Sequence, residues 1–285
     1  MMDSWTFGLV LLAALLHASW NTLIKVSHDK LAMQALVCVG AGLAALPAAL
    51  FVPLPDAACL PFLAVSLVVH VIYCSTLVLA YHNGDLSLVY PVARGSAPAL
   101  VALGAWLVAG EAGSSAEVAG VALISAAIVG TAVTPLLGRN ATAGETRALA
   151  LALATAVGIA AYSVIDGLGV RRTTNAISYV LWLHILEAVP LMSATLWLRR
   201  KALAQAFPRR ALITGLGGGV VSLVAYGIVI WAMQSQAMAH VAALRETSVI
   251  LAAAIGALAL GEPFGRRRVA AAFAVCCGAA LIHWG

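Results

Sequence analysis

The sequence predicts an all-α integral membrane protein: about ten transmembrane helices, arranged as two inverted five-helix repeats around a central cavity. Three observations predict it. Of 285 residues, 63% are hydrophobic and only 9% are charged, against roughly 45–50% and about 25% in soluble domains. A water-soluble globule has too little interior to hide that excess. Apolar runs long enough to cross about 30 Å of hydrocarbon recur along the whole chain. An intramembrane arginine followed by the same stop signal recurs at a fixed offset in the two halves.

The runs bounded by charges, Gly, Pro and Asn fall at 5–25, 32–52, 60–81, 86–109 and 116–135, then at 147–170, 175–197, 211–232, 238–260 and 266–284. In hydrocarbon every backbone N–H and C=O must be satisfied within the segment, which selects helices. The alternating pattern of a membrane barrel is absent. The first run lacks the basic flank and small-residue cleavage site of a signal peptide, so it reads as a retained helix.

The net charge of +5 does not form a nucleic-acid footprint. Its lysines and arginines sit in short clusters between spans, where the positive-inside rule puts them. Apart from Arg94 and Arg245, twelve basic residues fall in loops after odd-numbered spans, and only Arg171 and Arg172 fall on the other side. That bias predicts cytoplasmic odd loops and external termini. The lipid bilayer and a small molecule are the expected partners, nucleic acid is not, and a monomer is sufficient. No ATP-binding motif is present, and the five cysteines lack metal-ligand spacing, so no metal or other cofactor is expected.

The polar stretch near the midpoint divides the chain into a first half at 1–135, a linker at 136–146 and a second half at 147–285. Arg94 is followed sixteen residues later by Gly110-Glu111, and Arg245 sixteen later by Gly261-Glu262, an offset of 151. A weaker correspondence at offset 145 pairs His17 and Asn21 with Tyr162 and Asp166. With five spans per half, the second half enters from the opposite side. In such inverted repeats the binding site lies near the midplane between the halves.

Ionisable groups within spans cost at least about 2.5–3.5 kcal/mol, so they face the bundle interior or a wet cavity. Arg94 lies between Pro91 and Pro98, which loosen the helix. It reads as a binding or gating residue, or alternatively as the partner of a buried carboxylate. Arg245 and Glu246 point roughly 100° apart on a helix. They are expected to meet different neighbours, one facing the cavity while the other closes an ion pair. His17, Trp20 and Asn21 share one face of the first helix, and Tyr162 and Asp166 share one face of the sixth. Tyr90 completes the substrate-binding candidates. His184 and Glu187, three residues apart, form a candidate proton relay or a plain interhelical pair. Gly215, Gly217, Gly218 and Gly219 suit close helix packing or a hinge better than a phosphate loop. No catalytic residues are assigned.

The run Tyr81-His82-Asn83-Gly84-Asp85 through Tyr90-Pro91-Val92-Ala93-Arg94-Gly95-Ser96-Ala97-Pro98 to Gly110-Glu111 resembles the EamA-type repeat of the drug/metabolite transporter superfamily. So do Leu244-Arg245-Glu246-Thr247-Ser248 with Gly261-Glu262-Pro263, and His17-Ala18-Ser19-Trp20-Asn21. The resemblance spans both halves. It implies ten helices, alternating access, a bacterial-type plasma (inner) membrane and a preference for export. Many members have both termini in the cytoplasm, whereas the loop charges here place them outside. The first helix also lacks the glutamate of the four-helix drug-efflux relatives.

The expected function is therefore secondary transport of a small polar metabolite. Two intramembrane arginines favour an anionic or zwitterionic one, such as an amino acid or organic acid, because guanidinium matches carboxylate bidentately. Asp166, Glu187 or Glu246 is available to a substrate amine. The rival readings are transport of cationic or drug-like compounds, and a membrane enzyme acting on a lipid-linked substrate. The enzyme would need its polar groups gathered at one interface.

Overall fold

The computed structural model describes residues 2–134, 142–201, 207–260 and 266–284. Its helices are α1 Ser4–Lys25, α2 Lys30–Ala49, α3 Leu60–Asn83, α4 Leu86–Ala109 and α5 Ser115–Val133 in the first half. The second half holds α6 Ala143–Val170, α7 Ala176–Leu198, α8 Arg209–Met233, α9 Met238–Glu246, α10 Ser248–Leu260 and α11 Arg266–Trp284. Among the described residues nine spans are long and apolar enough to cross a membrane, Met238–Ile255 counting as one, and Val269–Trp284 is a shorter apolar helix.

Each of the ten predicted runs meets a helix, and capping sets several of the observed ends. The α2 helix starts at Lys30 because the Asp29 carboxylate accepts the Ala32 amide at 3.1 Å. The α6 helix starts at Ala143, four residues before the predicted boundary, because Thr142 and Glu145 form a capping box. The α4 helix ends on Gly110, whose φ of 66° lets the Glu111 amide reach back to the Ala105 carbonyl. Residues 135–141 of the linker, and Gly261-Glu262, lie outside the described residues.

The predicted ninth helix is two pieces. At Thr247 the backbone tightens: its amide bonds the Leu244 carbonyl at 3.1 Å, and its hydroxyl bonds the same oxygen at 2.7 Å. A threonine hydroxyl competing for its own helix's carbonyls is a local cause of such a break. Discontinuous helices occur at membrane depth only where protein or a cavity surrounds them. Here Arg245 and Glu246 are buried at the break.

The halves interleave instead of packing as separate bundles. The α3 and α4 helices lie along α6, α2 lies along α7 and α8, α1 against α8 and α10, and α5 against α11. Small residues permit the closest approaches. A Cβ on Gly120 would stand 2.7 Å from the Gly278 carbonyl, and one on Gly278 2.8 Å from the Gly120 carbonyl. Gly40, Gly215 and Gly219 bring α2 and α8 together in the same way. The pair α3 and α7, equivalent to α8 and α2 by position in each half, meets much less extensively. A lateral apolar cleft lies between them.

Candidate functional site

The centre of the bundle holds two arginines on one glutamate. Arg94, on α4, has its Nε 2.7 Å from Oε2 of Glu246, at the end of α9. Arg245 reaches the other oxygen, Oε1, with Nη2 at 3.2 Å and Nε at 3.3 Å. All three residues are buried, Glu246 completely. Two positive charges against one negative leave the cluster with a net charge of +1. Arg94 Nη2 also lies 3.0 Å from His17 Nε2. Guanidinium has only donors, so that nitrogen of His17 accepts. The Arg245 guanidinium lies over the Tyr226 ring, 5.7 Å from its centroid.

Two neighbouring lobes, which share His17, Trp20, Gln34, Tyr73 and Arg94 in their linings, border the cluster. The inner lobe touches Arg94, Arg245, His17, Tyr162, Tyr226, His184 and Glu187. The outer lobe leads from Arg94 past Trp20, Asn21, Tyr90 and Tyr81 to Ile24 and Lys30. Those last residues stand at the end of α1 and the start of α2, so the cavity runs toward the odd-numbered loops.

The structure therefore gathers Arg94, Arg245, His17, Trp20, Asn21, Tyr90 and Tyr162 around one space. Trp20 Nε1 and Tyr90 Oη are buried there without a hydrogen-bond partner among the described residues. Asn21 donates to the His17 carbonyl of its own helix at 2.9 Å. Glu246 and Asp166 are absent from the lining. Glu246 stands behind the arginines, and Asp166 is fully buried, accepting hydrogen bonds from Tyr179 at 2.9 Å and Tyr226 at 2.7 Å. His184 and Glu187 both face the inner lobe, but the His184 Nδ1 contact is to the Val180 carbonyl at 2.9 Å, on its own helix.

His70, Tyr73, Gln34 and Tyr226 also line the space, and sequence reasoning missed them. His70 carried the same signal as Arg94, an ionisable group inside an apolar run. Tyr226, Tyr73 and Gln34 carried none beyond polarity.

Opposite the opening, the even-numbered loops are laced together. Arg171 Nη1 pairs with Glu111 Oε1 at 2.6 Å, while its Nε and Nη2 donate to the carbonyls of Met233 and Gln236, both at 2.8 Å. Glu111 Oε2 accepts the Met238 amide at 2.8 Å, at the start of α9. Asp56 accepts from the Thr174 amide at 2.6 Å and the Thr173 hydroxyl at 3.0 Å. Those bonds hold its carboxyl below the usual range. One of the two basic residues on the charge-poor side thus ties three helix ends together.

Cutting this lacing is expected to open the even side. With the other cysteines replaced by alanine, Arg171→Gln should raise labelling of the cavity-lining Cys74 by a membrane-impermeant thiol reagent applied from the even-loop side. Labelling equal to the parent's would mean that the lacing does not hold the closure.

On the odd side a bidentate pair, Arg199 Nε to Asp29 Oδ2 at 2.5 Å and Nη2 to Oδ1 at 3.2 Å, joins the end of α7 to the start of α2. Burial alone would raise the Asp29 carboxyl. The Arg199 guanidinium and the Ala32 amide outweigh it and hold the group below its ordinary value.

Residues 146–284, from α6 to α11, match the EamA-like transporter family. No curated protein matches the chain. A crystal structure titled only as that of a protein is similar to the chain, with a TM-score of 0.75 and 17% sequence identity. The similarity covers 98% of this chain and 95% of the other. At that identity the likeness concerns the fold alone.

Proposed function

Through its second half the chain belongs to the EamA-like transporter family, and on that premise we propose that this multi-pass membrane transporter carries a small zwitterion or anion of the amino-acid or organic-acid kind, in the direction of export. The observation that carries the reading is the surplus positive charge of the Arg94–Glu246–Arg245 cluster against the cavity. Unlike a fully compensated pair, it leaves one guanidinium charge for a substrate carboxylate. Trp20 Nε1, a buried donor without a partner among the described residues, adds to the demand for an acceptor. Glu187 faces the same inner lobe and suits an ammonium group, which favours the zwitterion.

Size supports a metabolite over a drug. The lobes measure about 100 and 70 Å³, against roughly 300–1,000 Å³ for sites that take drug-sized ligands. The spread of polar groups over α1, α4, α6, α7 and α9 suits a central cavity better than an interfacial active site. The opening lies toward the odd loops, the side richer in lysine and arginine, so this conformation is the one that loads an exporter's substrate from the cytoplasmic side.

Purified protein is expected to melt at higher temperature with amino acids than with amines or carboxylic acids of the same carbon skeleton, since a ligand of the folded state stabilises by mass action. Arg94→Gln and Arg245→Gln should each abolish the shift and the transport. If the two variants insert correctly and transport as well as the parent, the arginines are structural and the reading fails.

A further inference from the structure

We infer that Asp166, linked to the cavity through the Tyr226 hydroxyl, is the proton-binding site that couples this transporter to a proton gradient. The inference rests on the transporter reading but not on the identity of the substrate.

Asp166 is an acid that lipid-embedded proteins avoid without cause. It is fully buried, and among the described residues no arginine or lysine pairs with it. Arg94 and Arg245 lie against Glu246 instead. What surrounds Asp166 is a set of neutral hydroxyls. Tyr179 from α7 donates to Oδ1 at 2.9 Å and Tyr226 from α8 donates to Oδ2 at 2.7 Å. These two O–H donors satisfy the ionised form. The hydroxyl oxygens accept from the protonated form equally well. A carrier of protons has to hold both states in one place, and a salt bridge would forbid one of them.

The other groups facing the site are few. From α3 there is His70, and Cys59 lies near Tyr179 in the turn before that helix. From α7, His184 packs edge-on to the Tyr226 ring at 5.9 Å, and from α9, Arg245 covers that ring. On α6 itself, Tyr162 stacks on His70 at 4.2 Å. The α4 helix presents Gly104, against Val164.

A route to the cavity follows from the hydrogen bonds. Tyr226 lines the inner lobe and donates to Asp166 Oδ2 at 2.7 Å. A hydroxyl both donates and accepts, so the Tyr226 oxygen takes a proton from the cavity as it passes its own to the carboxylate. One proton enters and one arrives, with Tyr226 left neutral. Asp166 lies four residues from the end of α6, on the closed side of the cavity, so the relay leads toward the even-numbered loops.

Tyr226 supplies the coupling. Its hydroxyl binds Asp166 and its ring lies under Arg245, so the charge state at one is felt at the other.

The test reads protons directly, without substrate. Infrared difference spectra of the purified protein in lipid, between acid and alkaline buffer, should show the carbonyl band of a protonated carboxyl group. Asp166→Asn should lose that band, Asp166→Glu should move it in frequency, and Tyr226→Phe should slow its appearance after a pH jump. In proteoliposomes, Tyr226→Phe should keep the band but lose the dependence of transport on a pH gradient. If Asp166→Asn fails to fold, Asp166→Glu decides alone, because only a band belonging to this residue can move. An unmoved band in Asp166→Glu, a band retained in Asp166→Asn, or no band in the parent overturns the inference. A failed amino-acid screen with the band present would sink the substrate reading and leave this one standing.

Discussion

Alanine in place of Glu246 is expected to destabilise the folded protein by about 3–5 kcal/mol, the cost of removing one partner from a buried ion pair, and to abolish transport. Glu246 is fully buried and compensates two arginines at once, through separate carboxylate oxygens. Without it Arg94 and Arg245 face each other near the bundle centre with no negative charge among their described contacts. The cost then lies in two uncompensated charges and not in the lost hydrogen bonds. A three-residue control separates stability from function. Glu246→Leu with Arg94→Met and Arg245→Met replaces the cluster by apolar groups of similar volume, which is often neutral or stabilising for buried ion pairs. That variant is expected to melt close to the parent while remaining inactive. If Glu246→Ala alone melts like the parent, the arginines have found other partners and the cluster is not the electrostatic centre of the fold.

The cluster also marks where sequence reasoning reaches and where it stops. The spans were legible because about twenty apolar residues in a row have few fates other than crossing a membrane. Arg94 and Arg245 stood out because charge in hydrocarbon needs a cause. Their shared partner was not legible, since contact between α4 and α9 across 152 residues is a tertiary fact. On a continuous helix Arg245 and Glu246 diverge by roughly 100°. In the structure Glu246 closes the ion pair and Arg245 faces the cavity. The two also bind each other, because the helix ends there and the long arginine side chain folds back.

The break at Thr247 was invisible for a similar reason. Threonine and serine occur in unbroken membrane helices, and only packing decides when their hydroxyls win the backbone. Asp166 was found as a polar residue on the same face as Tyr162, but its setting was not. Both of its tyrosine partners lie on other helices, and Tyr226 carries no charge to mark it in the sequence. The glycines of α8 were read as packing residues from their composition. Which of them pack, and against what, needed the structure.

Gly219→Val is the second large effect expected. A Cβ at Gly219 would meet only backbone, the Ala41 amide and the Val37 carbonyl of α2, and backbone cannot move aside as a side chain can. Gly40 faces the Leu216 backbone in the same contact, and Gly215 faces Leu36. Without a hydrophobic drive between helices in lipid, such close approach is a main source of association. Overpacking a well-filled interior costs about 1–3 kcal/mol, and forcing two backbones apart lies at or beyond the upper end. The consequence reaches the site, because α2 carries Gln34 and Cys38 into the inner lobe and is tied to α7 through Asp29 and Arg199. Opposite this contact, the cleft between α3 and α7 encloses about 320 Å³. The tight α2–α8 seam is therefore the fixed wall against which that looser side can move. Gly217 supplies the comparison, since it lies in the same stretch of α8 with nothing within 4 Å of its Cβ position. Gly219→Val should lower the melting temperature in detergent and abolish transport, while Gly217→Val should leave both near the parent. Equal melting of the two variants would show that α2 and α8 tolerate separation and that the seam is not the fixed wall.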